Sequence, residues 1–119
     1  SYIHTQRRQF IDTKDVNSKG LPMNIGACRI TLDIQGNKSL KDKRRVVRSL
    51  CDRIRHRFRL SVAEVDQQDN LRRAVIGLAT VSESAKIASE LLEKAANYAE
   101  TITGDGVIIE TDIDIFQYE

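Results

Sequence analysis

A chain of 119 residues with 40% hydrophobic and 30% charged residues, a single Pro and a formal net charge of +2 has room for one compact core. Its composition excludes a disordered or collagen-like chain. No apolar run approaches the ~20 residues that cross a bilayer, and the amino end lacks the charged-then-apolar pattern of a secretion signal, so the expectation is a cytoplasmic protein without membrane contact.

The first 22 residues, SYIHTQRRQFIDTKDVNSKGLP, hold neither a helical nor a strand period and end in Gly-Leu-Pro punctuation. They read as a leader or expression remnant outside a single domain spanning residues 23–119, with a basic arm at Arg7 and Arg8 as the alternative. From Met23 the pattern sharpens. Cys28, Ile30, Leu32 and Ile34 alternate with Ala27, Arg29, Thr31 and Asp33, which predicts a strand with one buried face.

Gln35-Gly36-Asn37-Lys38 is turn chemistry, and Ser39 with Asp42 three residues on has the form of a capping box that opens a helix. Along that helix Leu40, Val47, Leu50, Cys51, Ile54 and Phe58 fall on one stripe when residues are set at 100° steps. LSVAEVD alternates again, QQDN makes a polar hairpin, and the nearly continuous apolar run from Ala74 to Val81 predicts a central strand. A second helix is expected from Ser82, with Glu83 in its first turn and Ala88, Leu91, Leu92, Ala95, Ala99 and Ile102 on its buried side. Gly104-Asp105-Gly106 ends it. VIIETDIDIF then predicts a last strand in which Ile109, Thr111, Ile113 and Ile115 oppose Glu110, Asp112 and Asp114.

The order β-α-β-β-α-β specifies an α+β fold, a ferredoxin-like sandwich with two helices on one face of a four-stranded antiparallel sheet. Right-handed crossovers put the first and third strands in the centre and the second and fourth at the edges. The stretches SLKDKRRVVRSLCDRIRHRF, SVAEVDQQD and RRAVIGLATVS resemble the YlxP-like family, small bacterial proteins of ferredoxin-like fold without an assigned biochemical function. The resemblance runs from Met23 to about Ile115; it departs after VAEVD, where the family's His and aromatic residue give way to Gln67, Gln68, Asn70 and Leu71. Genes of that family commonly neighbour those of translation and ribosome-maturation factors, which implies a role near structured RNA or the ribosome.

The charge balance supplies a candidate surface. Lys38 to Arg59 carries ten Lys or Arg against two Asp, whereas Leu60 to Glu119 carries four against twelve Asp or Glu. On the helical wheel Lys41, Arg44, Arg45, Arg48, Arg55 and Arg59, with His56 beside them, project from one outward flank, and these six cations are the predicted nucleic-acid contacts. Two readings compete with RNA: a solvated face in which Asp52 bridges Arg48 and Arg55 or His56, and an acidic protein surface, the protein's own second copy included.

Other chemistry finds little support in the sequence. Cys28 and Cys51 have neither CxxC spacing nor neighbouring ligands and read as buried thiols. Glu64 and Asp66, set on one strand face with Asp69 nearby, are expected to be edge-strand polarity that discourages aberrant pairing and not a cation site. The loop from Ile34 to Lys38 lacks the Arg a phosphate loop would place after its Gly, His56 lacks a nucleophile to serve, and the central strands lack aromatics for base stacking. No enzyme, cofactor or metal is expected; the uncovered sheet face around Ala27, Arg29, Thr31, Leu71, Arg73 and Val75, with Glu110, Asp112 and Asp114, could pair with a copy of itself, so a homodimer is a possible partner arrangement whose interface the sequence does not fix.

Overall fold

The computed structural model of the protein describes residues 3–9, 23–104 and 106–118. Its elements in chain order are β1 (Ile3–Gln9), β2 (Met23–Asp33), α1 (Leu40–Phe58), β3 (Ser61–Asp66), β4 (Arg73–Ser82), α2 (Ala85–Ile102) and β5 (Val107–Tyr118). From β2 to β5 this is the βαββαβ order, with antiparallel strands arranged β5-β2-β4-β3. β2 and β4 occupy the centre, as the crossover rule requires.

Residues 3–9, expected to stand outside the domain, instead add a fifth strand that runs parallel to β5 from Ile3 opposite Thr111 to Gln9 opposite Gln117. In a four-stranded sheet β5 would be an edge with a row of unpaired backbone donors and acceptors. Pairing there satisfies main-chain groups, so the absence of side-chain alternation in IHTQRRQ does not prevent it. The remainder of the expected leader lies outside the described residues.

The core forms between the sheet and the two helices. Cys28, Ile30 and Leu32 of β2, Ala74, Ile76 and Leu78 of β4, and Ile113 and Ile115 of β5 are buried in one cluster with Val47, Leu50 and Ile54 of α1 and Ala88, Leu92 and Ala95 of α2. α2 can lie this close to β2 because Gly26 faces it: a Cβ there would stand 2.8 Å from Leu92 Cδ1, nearer than packed atoms approach.

Two local expectations change. α2 is capped by Ser84 and not Ser82: Ser84 Oγ accepts from the Ile87 N–H at 3.2 Å, while Ser82 Oγ accepts from the Ser84 N–H at 3.0 Å. Helix two therefore starts at Ala85, and Glu83 precedes its first turn. In β5 the register against β2 slips between Thr31 and Leu32, so that Leu32 faces Ile108. Ile108 is accordingly buried and Ile109, expected to point inward, is 41% exposed; one extra residue in a ladder reverses which side chain faces the core.

Candidate nucleic-acid interface

α1 begins as its sequence dictates. Ser39 is extended and its Oγ accepts from the Asp42 N–H at 3.1 Å, satisfying one of the orphan donors of the first turn. The apolar stripe turns inward through Val47, Leu50, Cys51 and Ile54. That leaves the cations to be placed, and they separate into two groups.

The first group is matched within the chain. Lys43 lies on the buried stripe with its side chain 0% exposed, and its Nζ donates to Glu64 Oε2 at 2.5 Å and to the Gln67 carbonyl at 2.7 Å. Glu64 projects from β3 toward the helix, its side chain 16% exposed. The Gln67 carbonyl also accepts from the Asn70 N–H at 3.0 Å, and Gln67 itself has a positive φ of 60°, so the lysine holds the turn of the β3–β4 hairpin. SLKDKR and VAEVD, which belong to two of the three stretches that carry the family resemblance, meet at this ion pair. Arg55 is matched as well: its Nη1 lies 2.6 Å from Asp52 Oδ1, and its Nη2 donates to the Val62 carbonyl. Arg57 lies over the Tyr98 ring, 4.8 Å from its centroid, a cation–π contact that ties α1 to α2.

The second group is unmatched. Lys41, Arg44, Arg45 and Arg48 are exposed and make no ion pair among the described residues. They succeed one another at three- and four-residue spacing along the amino-terminal half of α1, where like charges repel by a few tenths of a kcal/mol per pair. The amino end is also the positive end of the helix macrodipole, which favours acids, and Asp42 is the one acid in the first turn. Like-charge repulsion therefore opposes all four, and the dipole opposes Lys41, which stands in the first turn.

Arg59, predicted as the far end of the same flank, is exposed but sits beyond the helix at its C-cap in the left-handed conformation, φ 53°, with its N–H donating to the Arg55 carbonyl at 3.2 Å. It extends the basic surface from a separate position, next to the negative end of the helix, where a cation is favourable. Of the six predicted contacts, four form one contiguous patch, Arg59 lies apart, and Arg55 is committed to Asp52 and Val62. His56 is exposed beside the flank.

The acids proposed to share a face do not. Glu64 pairs in register with Ile76, but a shift in the β3 ladder puts Asp66 opposite Val75 on the other side of the sheet, where Asp66 Oδ1 accepts from the Gln67 N–H at 2.8 Å. No cluster of three metal-ligating side chains occurs among the described residues. The thiols are poor nucleophiles: burial, with a smaller contribution from Asp112, pushes Cys28 up to about 12, and burial pushes Cys51 up to about 11, so both stay protonated at neutral pH. On the uncovered face of the sheet Arg29 and Asp112 are cross-strand partners 3.6 Å apart, and Val65 and Val81 are more than half exposed. Among the described residues no helix is long and apolar enough to cross a membrane.

Lys43 is the residue that composition and charge counting overlook, although a signal exists. It stands on the apolar stripe of α1, and Glu64 stands on the inward face of β3 with Val62; two charges of opposite sign, each breaking its element's pattern, imply each other.

A model of the family described as "Protein of unknown function (DUF503)" matches residues 25–113. The chain is also 35% identical over 60 residues to the uncharacterized protein YlxP of Bacillus subtilis (strain 168). That similarity takes in 50% of this chain and 65% of the Bacillus protein, just under two thirds of the relative's length.

Proposed function

The chain belongs to the DUF503 family, proteins of unknown function, and we propose that it is a non-enzymatic cytoplasmic module that contacts structured RNA, on the ribosome or free, through the outward flank of α1. The observation that supports this reading is the unmatched patch of Lys41, Arg44, Arg45 and Arg48, four exposed cations that repel one another along the amino-terminal half of α1, with Lys41 in the first turn, where the helix dipole also disfavours it. Phosphates would offset both the mutual repulsion and the dipole. Such contact is directed at the backbone, gains affinity by counterion release, and has weak sequence preference. Arg59 adds a further contact at the distal end.

The test is the dependence of binding on salt. Reversing Arg45 and Arg48 to Glu should flatten the slope of log affinity against log salt by roughly 1–2, since each phosphate contact contributes about 0.7–0.9. RNA binding that is unchanged in the double variant removes the reading.

A second reading is a dimeric regulatory module whose basic helix meets an acidic protein surface. It draws on the exposed Val65 and Val81 of the uncovered sheet face, which at its other side carries the carboxylates of β5. Sedimentation distinguishes it: a dimer free of nucleic acid at low salt, and lost on charge reversal of α1, favours this reading over the first.

A further inference from the structure

Where α2 gives out at Ile102, the amino-terminal half of α1 and the ends of β2 and β4 enclose a cavity of about 290 Å³. Leu32, Ile34, Val47, Leu50 and Ile102 make its apolar wall. Val46, 43% exposed, stands in its lining, and Arg45 and Arg53 bound it. Both arginines are exposed and make no ion pair among the described residues. A β-branched residue that is half in water on a helix contributes little to helix propensity or to the core. The cavity lies at the small end of the ~300–1,000 Å³ typical of ligand pockets, room for one large side chain and not for a whole cofactor.

We propose that this notch docks an acidic peptide segment, which inserts one large apolar side chain between α1 and α2 and lays flanking carboxylates on Arg45 and Arg53. An apolar anchor in a desolvated pocket supplies affinity, and the charged rim supplies orientation and partner choice. The proposal is independent of RNA binding. Val46 and Arg53 lie on the α2 side of α1, away from Lys41, Arg44 and Arg48, so the two interactions separate by mutation even though Arg45 borders both.

The experiment titrates the full-length ¹⁵N-labelled protein with the peptide acetyl-Asp-Glu-Phe-Glu-Asp-amide and follows the backbone amides. Saturable shifts centred on Val46, Leu50 and Ile102 are expected. Affinity should fall about tenfold or more when the central Phe of the peptide is Ala, when the acidic residues are Lys, and in the Val46→Gln and Arg53→Gln proteins. RNA affinity of Val46→Gln should stay within about twofold of the parent, which separates failure of this proposal from failure of the RNA reading. Shifts that never saturate, equal binding of the Lys-flanked peptide, or unaltered binding to Val46→Gln would overturn it. Saturation of the notch by decanoate with no binding of the peptide would overturn it too, by assigning the site to a small amphiphile.

Discussion

Lys43 and Lys41 are two residues apart on the same helix and carry the same charge, yet one is sealed against Glu64 and the Gln67 carbonyl while the other faces water without a carboxylate. The contrast repeats along α1, with Arg55 held by Asp52 and Val62 and Arg44, Arg45 and Arg48 held by nothing among the described residues. A count of basic residues merges the two groups. Geometry separates cations that hold the fold together from cations left exposed without a carboxylate, and the proposed RNA contact draws on the second group.

Removing Lys43 gives the largest effect that distinguishes the groups. Lys43→Ala leaves Glu64 without its cation and the hairpin carbonyl without its donor, and should cost about 3–5 kcal/mol in urea unfolding, a large part of the stability of a small domain. The double change Lys43→Met with Glu64→Leu should recover most of that loss, because a buried pair gains little over well-packed apolar residues of similar size. A loss below about 1 kcal/mol in Lys43→Ala would mean that the ion pair does not hold α1 to the β3–β4 hairpin.

A smaller effect sharpens the same contrast. Arg55→Ala should cost about 1 kcal/mol, since it removes an exposed ion pair and one charge-assisted bond to a partly buried carbonyl. Arg44→Ala and Arg48→Ala should change stability by less than about 0.5 kcal/mol, and relief of like-charge repulsion makes a slight gain the expected sign. Thermal unfolding at low salt reads all three, and an Arg48→Ala loss equal to that of Arg55→Ala would erase the distinction between them.

Much of the fold was legible because the local signals agree with one another. The alternation through Cys28, Ile30 and Leu32, the Ser39 cap, and the apolar stripe of Val47, Leu50 and Ile54 each point to the element that forms. What escaped was decided by pairing between elements. The slip that buries Ile108 and exposes Ile109 depends on how β5 meets β2, and β1 forms because β5 has a backbone edge to offer. The choice of Ser84 over Ser82 as a cap is a competition between two hydroxyls two residues apart, and either could fit the sequence rule. In the candidate interface the exposed flank followed from helical periodicity, whereas the commitment of Arg55 to Val62 required the β3 strand to be in place, and the notch required the point where α2 stops.

The most direct measurement is the salt dependence of RNA affinity for single neutralisations along α1, with Lys41, Arg44, Arg45, Arg48 and Arg55 each changed to Gln. Each of the first four should lower the slope by about 0.7–0.9, while Arg55→Gln, already neutralised by Asp52, should leave it nearly unchanged. Equal losses at all five positions, or none at any, would contradict the account.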